Sequence, residues 1–381
     1  MAFQKNMRKN FILALIGIGI GGIGFGLVTP VTVMLLELNH APSFLIGSTA
    51  MVGYGSVLIL SRYTGSLIDR YNVKKILVLG LFIWMISAFA HMFWYVYPLL
   101  YPIKIIMGIG GTFIFVSTEV MINYYSDETN RGKNIGLYVV ILSIGIALGA
   151  LLIWTIKLGN WVPFVISSSI VFLVFVMQMI FLEDIKLNDE ETIIEKMPIA
   201  KMPLMGLLAA SIYGLFESSM IVVLPLYGLR NHFSSNEVSY FLASFVVGGI
   251  VLLYIIGHLS DKFYKYNLLL VISAVLGILL FLPAIAMNFI FLLVIFFFIG
   301  GIVPAFYTVG LNYTVEQVEK KFMAQANGYF VMMYGVGTIA GPLIGTVLMD
   351  LNKQSGYWLF ASLLCVCFFL LFVVYKSKNS I

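Results

Sequence analysis

The chain has 381 residues, of which 61% are hydrophobic and only 10% charged, with a mean hydropathy of +1.02. So few polar side chains cannot cover a water-soluble globule of this size, which leaves a lipid bilayer as the solvent. The net charge of +5 is spread over short loops and lines no single face, so no nucleic-acid partner is expected.

In chain order, a basic start, Met1 to Asn10, leads into an apolar run that reads as a first retained span. About 20 apolar residues cross a bilayer as a helix. Twelve such spans are predicted, at 11–36, 45–68, 74–96, 101–124, 135–156, 162–182, 205–228, 238–260, 267–286, 288–313, 325–348 and 357–375. The turn between the ninth and tenth is expected at Met287-Asn288, with Pro283 as a nearby breaker. Trp94, Trp154, Trp161 and Trp358 fall near predicted outer ends, where interfacial aromatics belong. Cys365 and Cys367, the two cysteines, stand two apart on the last span and point in different directions, so they form neither a disulfide framework nor a metal site.

Seventeen of the 22 lysines and arginines fall at the termini and in even-numbered loops, which places both termini in the cytoplasm. The longest polar stretch, from Glu183 to about Met202, divides the chain into a first bundle at 1–182, a central linker at 183–204 and a second bundle at 205–381.

Between spans two and three stands Gly65-Ser66-Leu67-Ile68-Asp69-Arg70-Tyr71-Asn72-Val73-Lys74-Lys75. Gly257-His258-Leu259-Ser260-Asp261-Lys262-Phe263 repeats its pattern 192 positions later. The same offset carries Asn39-His40 to Asn231-His232, Gly108 to Gly300, and Gly136, Gly145 and Gly149 to Gly328, Gly337 and Gly341. Glycines and charges that recur in register mark duplicated halves, the pattern of a secondary transporter with its cavity near the midplane.

The Gly65 to Lys75 loop resembles the signature between spans two and three of the major facilitator superfamily, Gly-x-Leu-x-Asp-Arg-x-Gly-Arg-Lys. Asn72 and Val73 stand where that signature has Gly and Arg. With the twelve spans and central loop, the resemblance covers essentially the whole chain. It implies an all-α membrane protein with twelve transmembrane helices in two pseudo-symmetric six-helix bundles. It also implies that Gly65, Asp69, Arg70 and Lys74, with the copies Gly257, Asp261 and Lys262, latch the cytoplasmic helix ends in one state. A carboxylate near a helix N-terminus and cations can bias a conformational equilibrium in this way. The alternative is that the cations only fix topology.

Gly136-x8-Gly145-x3-Gly149 resembles the glycine pattern of exporters in that superfamily, with Ala150 where the pattern has proline. Gly328-x8-Gly337-x3-Gly341-Pro342 is the fuller version. Small residues four apart allow close helix contact, and Pro342 permits a bend at a gate; packing alone is the other reading. Three short segments are similar to the YcaD-type group of bacterial transporters: Lys104-x3-Gly108-x-Gly110 followed by Glu119, Leu224-Pro225-Leu226-Tyr227, and Tyr334-Gly335-Val336-Gly337 running to Gly341-Pro342.

Of the 17 acidic residues, only Glu119 and Glu217 fall well inside predicted spans. A carboxylate there costs a few kcal/mol if it faces lipid, so it is expected to face protein or water and to exchange a proton. Glu119 follows Lys104 by fifteen residues, about 60° around the helix and roughly 22 Å along it, so the two are expected to share a cavity-facing side without touching. The alternatives are a Lys104 that snorkels to the interface and a structural Glu119 paired with Arg131. Glu217 lies mid-span, bracketed by Tyr213, Ser218 and Ser219. Arg62 shares a helix face with Asp69 and either snorkels or meets an anionic substrate group. Tyr138, Tyr213, Tyr307, Asn312, Tyr313 and Gln178 are candidate cavity-lining residues, with plain packing the alternative.

The expected function is a proton-coupled secondary transporter that exports a small organic, amphipathic compound by alternating access. Its partners are protons, the substrate and the lipid bilayer; it has no cofactor beyond the proton gradient and acts as a monomer in a bacterial plasma membrane. A nutrient-importing symporter and a lipid or glycolipid flippase are alternatives within the same fold. An embedded enzyme or receptor is disfavoured: there is no HExxH, Walker loop or nucleophile elbow, and His40, His91, His232 and His258 are scattered.

Overall fold

A computed structural model describes residues 2–126, 130–183, 202–319 and 322–379. The side chains of 2–8, 131–132, 253–254, 257–261, 324 and 376–379 are outside that description. Most of the expected linker, Arg131 as an ion-pair partner, the surroundings of Gly257 and the side chain of Asp261 therefore lie outside that description.

The described residues are helical, without strands. In chain order they form α1 Ala2–Leu38, α2 Ser43–Tyr71, α3 Val73–Ala90, α4 Tyr97–Tyr124, α5 Arg131–Leu151, α6 Val162–Phe181 and α7 Leu204–Arg230. There follow α8 Ser235–Lys262, α9 Lys265–Phe281, α10 Phe289–Ile302, α11 Ala305–Glu316, α12 Met323–Leu351 and α13 Gly356–Asn379. Twelve stretches are long and apolar enough to cross a membrane, one for each predicted span. The tenth is the exception in form, because it is two helices, α10 and α11, with Val303 and Pro304 between them. Proline lacks the N–H that would continue the helical ladder, and the chain turns there. The predicted turn at Met287-Asn288 is present, with the Asn288 side chain accepting from the Phe291 N–H at 3.0 Å to start α10.

The duplication is visible in where helices start. The pairs Ser43 and Ser235, Val73 and Lys265, Tyr97 and Phe289, and Arg131 and Met323 each stand 192 apart. The ends of α1 and α7 close identically. Asn39 and Asn231 each return a side-chain N–H to the carbonyl four residues back, Leu35 and Tyr227, at 2.8 Å. The next residues, His40 and His232, take φ of 56° and 67°, the left-handed conformation that ends a helix.

The chain divides into two compact units. The first comprises Met1–Asn39 and Val52–Thr192, the second His40–Met51 and Ile193–Ile381. In the first unit α1 packs on α5 and α6, and α3 on α4 and α6. In the second, α7 packs on α12 and α11, α8 on α10, and α9 on α13. The glycine stripes fix the α1–α5 and α7–α12 contacts. A methyl group on Gly145 or Gly149 would strike the carbonyls of Gly19 and Ile23, and one on Gly337 or Gly341 those of Ser211 and Leu215, the same positions displaced by the repeat.

The first turns of α2 cluster with the second unit. The Ser43 hydroxyl donates to Asp350 Oδ1 at 2.5 Å, and Arg230 donates to Ser43 Oγ at 2.7 Å and to Asp350 Oδ1 at 3.0 Å.

Two of the four interfacial tryptophans correct the expectation. Trp154 and Trp161 are exposed, but Trp94 is buried and Trp358 packs wholly inside the second unit against Tyr227 and Phe296. Placement near a span end does not fix which way a ring turns, and these two gain more by filling gaps between helices. Cys365 is buried and Cys367 exposed, on opposite sides of α13 as their spacing requires.

Candidate functional site

Glu217 stands midway along α7, partly buried. One turn earlier on the same face, Tyr213 donates its phenol proton to Glu217 Oε1 at 2.8 Å. Tyr334 of α12 donates to Oε2 at 2.6 Å. It can do so because α12 comes hard against α7: Gly214 has no side chain, and a Cβ there would meet the Tyr334 carbonyl. The two phenol rings stack, centroids 5.4 Å apart and 21° between planes. Tyr307 of α11 closes the group, edge-on to Tyr213 at 5.3 Å and to Tyr334 at 5.6 Å. A carboxylate with both oxygens engaged by phenols is thus set among three aromatic rings inside a span.

Protonation changes this arrangement. The ionised carboxylate is an acceptor at both oxygens and satisfies both phenols; the acid carries an O–H at one oxygen, and the tyrosine on that oxygen must turn or leave. No cation bridges Glu217 in the second unit among the described residues. The partners of its two oxygens are the phenols of Tyr213 and Tyr334.

The first unit lacks the counterpart of this cluster. At the positions equivalent to Tyr213, Glu217, Tyr307 and Tyr334 it has Gly21, Phe25, Phe115 and Leu142. Phe25 packs on Trp84 at 4.7 Å and on Phe115 at 4.9 Å, an apolar plug in the corresponding place.

The other candidate residues are distributed as follows. Tyr213 joins Glu217 as expected, but Ser218 and Ser219 do not: Ser218 donates to the Gly214 carbonyl at 2.8 Å, and Ser219 pairs with the Tyr357 phenol at 2.5 Å. Lys104 and Glu119 do not share an environment. Lys104 is 5% exposed, enclosed in the first unit with Nζ 3.5 Å from Thr29 Oγ1, so it does not snorkel. Glu119 stands on the exposed side of α4, with buried Tyr138 of α5 in electrostatic reach. The intervening turns of α4 carry one residue beneath α1 and leave the other outside. Near Lys104, fully buried His91 places Nδ1 2.6 Å from the Ser87 carbonyl, and its Nε2 has no hydrogen-bond partner among the described residues. Gln178 and Tyr313 pack rather than line an opening: Gln178 donates to the Leu13 carbonyl at 2.8 Å, and Tyr313 lies against Phe372.

Arg62 and Asp69 are both exposed on α2, and neither forms an ion pair among the described residues. Arg70 lies over the Tyr71 ring at 5.2 Å. Asn72 has φ of 87°, the conformation for which the usual glycine is suited, and its side chain accepts the Lys74 N–H at 3.0 Å to begin α3. The departure from the signature is therefore structurally conservative at that position. Gly65 meets nothing within 4 Å where a Cβ would be, and Lys262 is exposed.

Tyr334, the second donor to Glu217, is the member of the cluster that sequence reasoning did not count among the cavity-lining residues. Its signal was present: it precedes Gly337 by three residues, on the face that the glycine stripe presses against α7.

The family profile described as Major Facilitator Superfamily matches the chain twice, over residues 14–205 and 206–380. The chain is 25% identical over 384 residues to the uncharacterized MFS-type transporter YfkF of Bacillus subtilis (strain 168), covering 98% of this chain and 97% of that one. It is 23% identical to the uncharacterized MFS-type transporter YcaD of Escherichia fergusonii, covering 97% and 96%. The crystal structure of a point mutant of the nucleoside transporter NupG superposes with a TM-score of 0.75 at 14% identity, covering 97% of this chain and 99% of that chain, a likeness of fold.

Proposed function

Because the chain belongs to the Major Facilitator Superfamily and is a multi-pass membrane transporter rather than an enzyme, we propose that it is a proton-coupled antiporter that exports a small, amphipathic organic compound. The observation that carries this reading is the Glu217 carboxylate held by Tyr213 and Tyr334 inside α7. A carboxylate that no cation of the second unit pairs with among the described residues can accept either a proton or a basic group of the substrate, and occupancy by one excludes the other. Such competition exchanges the two across the membrane when the carrier alternates between inward and outward access. The surrounding tyrosine rings offer apolar and π-faced contact to the substrate body.

The bias of lysines and arginines supports cytoplasmic termini, and the bacterial relatives support a plasma-membrane location. Asp69, Arg70 and Lys74 are the candidate latch of one state, and the helix contacts at Gly145, Gly149, Gly337 and Gly341 the candidate pivots.

A second reading, proton-driven import of a small nutrient, is favoured by one observation, that the structural neighbour NupG is a nucleoside transporter. Both readings use Glu217. Purified protein in vesicles with an imposed pH gradient separates them: antiport drives a compound against the proton flow, symport with it. Glu217→Gln is expected to abolish the pH-driven component in either direction, and full coupled transport by that variant would remove Glu217 from the mechanism.

A further inference from the structure

We propose that the first unit carries a binding site for an anionic glycerophospholipid, in the groove between α3 and α6. The groove has a volume of about 530 Å³ and is lined by Lys74, Lys75, Leu79, Phe82, Phe175 and Met179 among others. Its chemistry is divided. The two lysines stand at the start of the span Val73–Phe93, the end at which lipid headgroups are expected, and the remaining walls are apolar. From Lys74 to Phe82 the groove follows α3 for about 12 Å into the hydrocarbon. That is the layout a phospholipid requires, with the phosphate at the lysines and an acyl chain along the rings.

The occupant is fixed by charge. Neither Lys74 nor Lys75 has a carboxylate partner among the described residues, and no acidic residue lines the groove. Two unneutralised ammonium groups beside the N-terminus of α3 select an anion over a zwitterion. Leu79, Phe82 and Met179 are exposed, and no other described segment fills the groove. Phe82 and Phe175 lie 5.9 Å apart at 43°, forming a tilted wall against which a chain can rest. Cations at a span end are commonly read as topology signals alone; the groove beneath them assigns these two a ligand.

The test uses the full chain in neutral detergent, with phosphatidylglycerol, phosphatidylcholine or inorganic phosphate added, read by melting temperature and by lipid retained in native mass spectrometry. Phosphatidylglycerol is expected to raise the melting temperature and to remain bound, while the other two do neither. Lys74→Gln/Lys75→Gln should bind phosphatidylglycerol roughly 30-fold more weakly, at about 1 kcal/mol for each lysine. Met179→Trp, which fills the groove and spares the lysines, should also lose retention, and Lys133→Gln in another loop should not. Equal binding of phosphatidylcholine, equal stabilisation by inorganic phosphate, or undiminished retention by the double lysine variant would overturn the proposal.

Discussion

The phenol of Tyr334 donates to Oε2 of Glu217 at 2.6 Å, across 117 positions of sequence, and so joins the glycine-rich face of α12 to the carboxylate in the middle of α7. A hydrogen bond to a charged group is worth about 1.5–3 kcal/mol, which corresponds to a change of roughly ten- to a hundredfold in the balance between ionised and protonated carboxyl. Tyr334→Phe removes that bond and keeps the ring. Transport driven by a pH gradient is expected to fall at least about tenfold, with a loss of stability no larger than that one bond, since the ring stack on Tyr213 survives. Tyr213→Phe should act similarly through Oε1, and the double variant should show coupling because both bonds end on one group.

The paired glycines yield a stability test with an internal control. At Gly337 an added methyl strikes the Ser211 carbonyl, and at Gly145 the Gly19 carbonyl, both rigid backbone. Gly136 and Gly328, nine residues nearer the start of the same two helices, have nothing within 4 Å of that methyl. Gly337→Ala and Gly145→Ala are expected to destabilise by about 1–3 kcal/mol through overpacking. Gly136→Ala and Gly328→Ala should be neutral or slightly stabilising, because alanine is the better helix former. Thermal unfolding of the four purified variants decides; equal effects would mean that the stripe is not the contact between these helices.

Much of this architecture was legible in the chain because the repeat ties distant residues to one register. The pairs Asn39-His40 and Asn231-His232 look like weak dipeptide matches, yet they are the same helix end, with the same side-chain bond and the same left-handed histidine. What the repeat could not disclose is what only one half possesses. Tyr334 aligns with Leu142 and Glu217 with Phe25, so the polar cluster has no echo that would have paired its members. The break at Val303-Pro304 likewise has no counterpart in continuous α4. Burial of Lys104 and exposure of Glu119 depend on which neighbours cover each face of α4, which spacing along one helix does not determine.

The Ser43, Arg230 and Asp350 cluster is another one-sided feature, since the repeat places Leu38 and Leu158 opposite Arg230 and Asp350. The Arg230 side chain is 9% exposed and that of Asp350 55%. Removing the carboxylate leaves a largely enclosed guanidinium short of a partner, so Asp350→Ala should lower the melting temperature more than Ser43→Ala, which removes a hydroxyl. Because the carboxylate is more than a third exposed, its Coulombic share is discounted for screening and a loss of about 1 kcal/mol is expected. A double-mutant cycle between Arg230 and Asp350 that returned no coupling would show that the pair contributes nothing to holding the start of α2.

Lys104 offers a sharper contrast between stability and function. Its ammonium has three donors, and the one bond it makes among the described residues, to Thr29 Oγ1, is long at 3.5 Å; no carboxylate pairs with it. Enclosing an ammonium in this way costs several kcal/mol, so it persists only if something offsets the cost. Lys104→Met keeps the length of the chain and removes the charge, and it is expected to raise the melting temperature by about 2 °C or more. If the lysine serves coupling, the same variant should lose pH-driven transport while becoming more stable, the trade expected of a functional residue held against local preference. Unchanged transport would leave Lys104 outside the cycle, and a lower melting temperature would mean that the ammonium has a counter-charge that enters with solvent or substrate.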